Sequence, residues 1–164
     1  MNAATRTIQL TQPQLAQICT STSWQQLMLA HIMPSPDYAT LCQRADAAFA
    51  QLSESDWLEA FAGHPMIGDL DTLQKKYSQG KHLSEQEQGK VKLASKAVLH
   101  DLLYYNQAYL KKFGFIFIIC ASQQSAEQVL EQIKARIKNN RSDELMNAAI
   151  EQQKISRLRM ESYQ

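Results

Sequence analysis

Glycine and proline are scarce, five and four among 164 residues, and they fall singly along the chain. No Gly/Ser or Pro-rich tract is left to act as a linker, and no low-complexity segment or internal repeat stands out, so one domain over residues 1–164 is the expectation. Cysteine is equally sparse. Cys19, Cys42 and Cys120 make no CxxC pair and no His/Cys cluster, which speaks against structural zinc and a disulfide framework and for a reduced, metal-free protein. Neither sign of charge dominates: seventeen basic and sixteen acidic side chains leave a formal net charge of +1 and gather into no block. A nucleic-acid arm and a polybasic membrane anchor are therefore not expected, and a small molecule is the expected ligand. Long hydrophobic runs are missing too, since no stretch approaches the roughly 20 residues of a membrane span. MNAATRTIQL lacks the layout of a signal peptide and ESYQ is not a peroxisomal tripeptide, so a cytoplasmic location is expected.

What the chain has is a 45% share of hydrophobic residues, enough for a sizeable core at this length, and it spaces them as helices do. Thr11 with Pro13 opens a short helix through QLAQIC; Ser23 caps a second through WQQLMLAHIM, closed by Pro34 and Pro36. YATLCQRADAAFAQL and SDWLEAFAG follow at the same spacing. The strongest signal starts at Ser84: Val91, Ala94, Val98, Leu102, Tyr105 and Tyr109 recur at steps of three or four, with Glu85 and Glu87 at the start and Lys111 and Lys112 at the end. Gly114 is its stop signal. FIFIICA, residues 115–121, reads alone as either a buried strand or a buried helical turn. Ser125 then opens AEQVLEQIKARIKN and Ser142 opens DELMNAAIEQQKISRLRM. The sum is an all-α bundle of about seven to eight helices.

Three places carry residue types suited to chemistry. In GHPMIGD, residues 63–69, Pro65 pushes His64 out of the helical region while Gly63 and Gly68 permit tight turns, so the imidazole is aimed. It reads either as a loop histidine or as a catalytic one; His31, His82 and His100 have no metal-ligand spacing. In SEQEQ, residues 84–88, Ser84 and Glu87 match a capping box, which is explanation enough, yet a glutamate at a helix N-terminus also suits acid–base work. In SRLRM, a wheel of about 100° per residue puts Arg159 on the face of Leu145, Ala148, Gln152 and Ile155, and Arg157 nearly opposite, solvated beside Glu161. An arginine amid apolar residues needs a partner, either an internal carboxylate or a bound anion.

GHPMIGD, SEQEQ, FGFIFIICA at 113–121, the R-x-x-N-x-x-x-x-E pattern from Arg136 through Asn139 to Glu144, and ISRLRM at 155–160 together resemble, in order and spacing, the 2-oxo-4-hydroxy-4-carboxy-5-ureidoimidazoline (OHCU) decarboxylase family. The resemblance covers about residue 8 to residue 160 and departs at Met160, where leucine is expected. It implies an all-helical fold, often a homodimer, a cofactor-free lyase of oxidative urate breakdown yielding (S)-allantoin, and a helical FIFIICA segment. It also implies roles: His64 the catalytic histidine, Glu87 its acid/base partner, Arg159 the anion-binding arginine. Ser84 and Gln88 would hydrogen-bond the substrate, Pro65 would line the pocket, and backbone groups of Ile116, Phe117 and Ile118 would contact substrate amides. The competing class is a small helical binding module, in which SEQEQ is only a cap and Arg159 only a salt bridge.

Overall fold

A computed structural model describes residues 6–65 and 95–164. Among them the chain forms seven helices and no strand: α1 Gln12–Ile18, α2 Thr22–His31, α3 Tyr38–Phe49, α4 Glu54–Ala62, α5 Lys96–Phe113, α6 Ala126–Arg136 and α7 Arg141–Glu161. The all-α expectation holds. None of the described helices is long and apolar enough to cross a membrane. The chain packs into two compact units, Met1–His64 with Ala149–Gln164, and Pro65–Ala148.

In the first unit every turn into a helix is made by a side-chain cap. α1 opens at Thr11 with Pro13 in its first turn, as the sequence predicts, and Gln14 completes a capping box there. At α2 the prediction needs correcting: Ser21, not Ser23, accepts from the backbone of Trp24. Ser23 instead donates to Asp56 at 2.8 Å, tying the start of α2 to the first turn of α4, where Asp56 also completes a capping box with Ser53. The amphipathic faces of these helices close over Leu15, Ile18, Trp24, Met28, Leu41, Ala45 and Phe49, all under 2% exposed; burying each of the larger ones contributes roughly 1.5–3 kcal/mol. A ladder of rings, Trp24 to Phe49 to Trp57 to Phe61 at 5.0, 5.6 and 6.1 Å between centroids, links α2, α3 and α4. Met160 of α7 completes this core.

The second unit is organised by α5 and α6. The long helix expected from Ser84 opens at Lys96, with Ser95 as its N-cap; residues 84–94 lie outside the described residues. It ends as predicted, on Gly114 in the left-handed conformation (φ 81°), which glycine enters without a Cβ penalty. The next residues overturn the helical expectation for FIFIICA: 115–121 are irregular, neither helix nor strand. Here local preference prevailed, because β-branched and aromatic residues lose side-chain freedom in a helix. Buried Phe115 and Ile118 anchor the segment, Phe115 meeting Tyr109 edge-on at 6.0 Å. Ser125 caps α6 as expected, in a capping box with Gln128. For α7 the cap is Asn140, whose Oδ1 accepts from the Asp143 backbone, and not Ser142.

α7 corrects the wheel. Its most buried positions are Glu144, Ala148, Gln152, Ser156 and Met160, at steps of four and each 1% exposed or less. Arg159 therefore stands at the edge of the inward face and not in its middle, and it is exposed. Arg157 pairs with Asp46 of α3 at 2.5 Å instead of with Glu161.

Candidate functional site

His64 follows directly on α4. The amides of Gly63 and His64 donate to the carbonyls of Ala60 and Phe61 (3.3 and 3.2 Å), so the chain winds tightly at the helix end. Glycine at 63 is required for space: a Cβ there would lie 2.1 Å from Thr20 Oγ1. Thr20 is held in place by a hydroxyl shared between the carbonyls of Glu59 and Ala60, each at 3.2 Å. The turn that carries His64 is thus clamped between α4 and Thr20, the residue before the N-cap of α2. Pro65 follows, exposed.

The imidazole itself is half-buried and meets α7. His64 Nε2 lies 2.5 Å from Oε1 of Gln152. Gln152 Nε2 donates to Ser156 Oγ at 3.1 Å, and Ser156 Oγ donates to the Ile18 carbonyl at the end of α1 at 3.3 Å. One turn on, Arg159 Nη1 donates to the carbonyls of Gln17 and Ile18 (3.2 and 3.1 Å). The partner that Arg159 finds is thus a pair of helix C-terminal carbonyls, at the negative end of the α1 dipole. Among the described residues these carbonyls, and not an internal carboxylate, are its hydrogen-bond partners. Buried beside this group, the Cys19 thiol is pushed up to about 11 by burial and stays protonated.

In the second unit the R-x-x-N-x-x-x-x-E pattern forms a single knot. Glu144, fully buried, accepts from Arg136 Nε (2.9 Å), Tyr109 Oη (2.6 Å), Asn139 Nδ2 and Asn147 Nδ2 (both 3.0 Å). Burial alone would raise its carboxyl; the bonds from Arg136, Tyr109, Asn139 and Asn147 outweigh it and hold it below the ordinary glutamate range. The Arg136 guanidinium also lies 4.5 Å from the Phe117 ring centroid and donates to the Ile118 carbonyl at 2.8 Å. Phe117 and Ile118 are therefore held by Arg136 despite lacking regular structure.

Of the residues singled out in the sequence, His64 and Arg159 are in the first unit, joined through Ser156 and the Ile18 carbonyl, and Ile116 to Ile118 are in the second. Ser84, Glu87 and Gln88 lie outside the described residues. Sequence reasoning missed Gln152 and Ser156 as partners of the histidine. Their only signal is position: polar residues one turn apart on a helix face that also carries Ala148 and Met160.

The first unit thus presents a half-buried histidine held by a buried polar chain on an all-helical scaffold. The chain belongs to the OHCU decarboxylase family, whose model matches residues 8–161. It is similar to the uric acid degradation bifunctional protein TTL of Arabidopsis thaliana, 39% identical over 115 residues, 70% of this chain and 36% of that protein. It is also similar to 2-oxo-4-hydroxy-4-carboxy-5-ureidoimidazoline decarboxylase of Xenopus laevis, 30% identical over 97 residues, 59% of this chain and 55% of that protein. The matched parts make up about a third to somewhat over half of these curated relatives. A crystal structure of OHCU decarboxylase in the presence of (S)-allantoin superposes with a TM-score of 0.73 at 31% identity, covering 93% of this chain and 97% of that one. A crystal structure of (S)-allantoin synthase, 20% identical with a TM-score of 0.65, covers 93% of this chain and 49% of that one and shares the fold.

Proposed function

We propose that this protein decarboxylates OHCU to (S)-allantoin in urate breakdown, without a cofactor, with His64 and Glu87 handling protons and Arg159 holding the anionic substrate. The observation that carries the reading is His64, fixed by a glycine-tight turn and a buried amide within a family of decarboxylases.

The substrate is a β-imino acid: the ring carbon that bears the carboxylate and hydroxyl adjoins a carbon doubly bonded to nitrogen. When the C–CO2 bond breaks, its electron pair forms a C=C bond and the imine pair moves onto nitrogen, which takes a proton. The resulting enol becomes the ring's amide carbonyl as its hydroxyl loses a proton and the neighbouring carbon gains one. The electron sink is in the substrate, so the protein's task is orientation and two well-placed proton transfers, the second on one face only. His64 and Glu87 suit that task. Arg159, anchored through Nη1, would hold a group that stays on the ring, since a tight pair with the departing carboxylate would favour the ground state over the transition state. Ser84 and Gln88 would add hydrogen bonds, Pro65 a wall, and Ile116 to Ile118 peptide groups.

We also place the protein in the cytoplasm as a homodimer. Exposed Met146 and Ile150, one turn apart on α7, are candidates for burial between copies; sedimentation at micromolar concentration tests this, and a monomer would refute it.

To test the activity, OHCU is generated in situ from urate by upstream enzymes and the circular dichroism of (S)-allantoin is followed. Fast chiral product that disappears in His64→Ala is the expected result. Folded wild-type protein that leaves only slow, racemic conversion would leave a binding module as the reading.

A further inference from the structure

The last carbonyls of a helix have no partner inside it, and at the end of α1 the partners come from other helices. Gln17 and Ile18 accept from Arg159 Nη1 of α7. Cys19, the C-cap, accepts from Gln25 Nε2 of α2 at 2.9 Å. Cys19 is extended (φ −152°, ψ 132°), so the chain leaves α1 there and carries Thr20 to α4. Thr20 then reverses the direction: its hydroxyl donates to the Glu59 and Ala60 carbonyls, while its Cγ2 and Cβ lie where a side chain on Gly63 would have to go. Ile18 and Cys19 are each 1% exposed and Gln25 is buried, so these are bonds that a buried backbone must make within the protein. Four consecutive residues thus carry two seats, one for the Arg159 guanidinium and one for the turn of α4 that leads into His64.

We propose that Thr20 is a positioning residue for His64, and that residues 17–20 are a mount on which the histidine turn and Arg159 are seated together. That these two side chains meet substrate rests on the decarboxylase reading; that they share a mount does not. A proton transfer on a bound anion needs its two groups at a fixed separation, since a misplacement of about 1 Å can cost about 100-fold in rate. His64 comes from the end of α4 and Arg159 from the end of α7, and the segment between α1 and α2 holds both.

The test compares Thr20→Val, which keeps the shape and puts a methyl where the hydroxyl donates, with Thr20→Ser, which keeps the hydroxyl. Folded Thr20→Val should lose about 10- to 100-fold in kcat, with KM within about twofold. The amides of Gly63 and His64, which donate to Ala60 and Phe61, should exchange with deuterium faster than in the wild type. Thr20→Ser should restore both readouts. Wild-type kcat in folded Thr20→Val, or an equal loss in Thr20→Ser, would overturn the positioning role. If Thr20→Val does not fold, the smaller Thr20→Ala is read in the same way. On the other side of the mount, Gln25→Met, or Gln25→Leu should methionine misfold, removes the donor to Cys19. KM should then rise about 2- to 10-fold, as expected when one anchoring hydrogen bond is weakened, and an unchanged KM would refute the shared mount. Faster Gly63 and His64 exchange in Thr20→Val of a protein that makes no allantoin would sink the decarboxylase reading and leave the mount standing. Allantoin made at the wild-type rate by Thr20→Val, with exchange unchanged, would do the opposite.

Discussion

Replacing Gly63 by alanine should damage this protein for a reason that a second substitution can reverse. The backbone at 63 (φ −74°, ψ −12°) is ordinary right-handed helix and welcomes any residue. The obstacle is Thr20, whose Oγ1, Cγ2 and Cβ would lie 2.1, 2.5 and 2.7 Å from the new methyl carbon. Overpacking of this kind costs roughly 1–3 kcal/mol. Displacing Thr20 also breaks the hydrogen bond it shares between two carbonyls, about 0.5–1.5 kcal/mol. Against this, alanine restricts the unfolded chain and returns about 0.4–1 kcal/mol. The sum is a destabilisation of about 0.5–4 kcal/mol, accompanied by lower activity because His64 is the next residue. In a Thr20→Gly background all three close contacts vanish, so the same Gly63→Ala change should turn neutral or stabilising. Urea denaturation of the four proteins of this double-mutant cycle measures it. A Gly63→Ala variant within about 0.5 kcal/mol of wild type, or one equally destabilised on both backgrounds, would refute the steric argument.

Other outcomes follow from features of the two units. Gly114→Ala should cost about 1–2 kcal/mol by thermal melt, from the left-handed backbone alone, since nothing lies within 4 Å of the added carbon; no loss would refute it. Glu144→Gln leaves the mostly buried Arg136 without its counter-charge and should cost roughly 3–5 kcal/mol at neutral pH. The Glu144 carboxyl is held below its ordinary 4.5, so its contribution is complete above that pH and fades as pH falls through the lower folded value. The acid loss of stability should therefore be shallower in Glu144→Gln, and an identical acid slope would count against the knot. In native protein at pH 8, iodoacetamide should label half-buried Cys120 and spare Cys19, which is buried and protonated up to about 11; early modification of Cys19 would contradict its burial.

Much of the fold was readable because helix starts are written locally. Thr11 with Gln14, and Ser125 with Gln128, are three residues apart and need no tertiary knowledge; Gly114 declares its own stop. Where two candidates crowd together, as in the Ser21-Thr22-Ser23 stretch, local rules cannot rank them, and the choice fell to the link between Ser23 and Asp56. The irregular 115–121 segment was misread as helical by weighing family resemblance above its own β-rich composition. His64 was legible through its neighbours Gly63 and Pro65. Gln152 was not, because hydrophobic periodicity sees only apolar residues, whereas the buried stripe of α7 reads Glu, Ala, Gln, Ser, Met. Partners separated by 88 residues leave no mark on either local pattern.

That separation has a consequence for how the chain is made. At a synthesis rate of about 5–20 residues per second, roughly 4–18 seconds pass between the emergence of His64 and of Gln152. During that interval the end of α1 has neither Ser156 nor Arg159 to take its carbonyls, and the apolar seat of Met160 is open. The nascent first unit is thus an unfinished surface that other chains can reach, so slow codons between the two positions should raise the demand for chaperones in the cell.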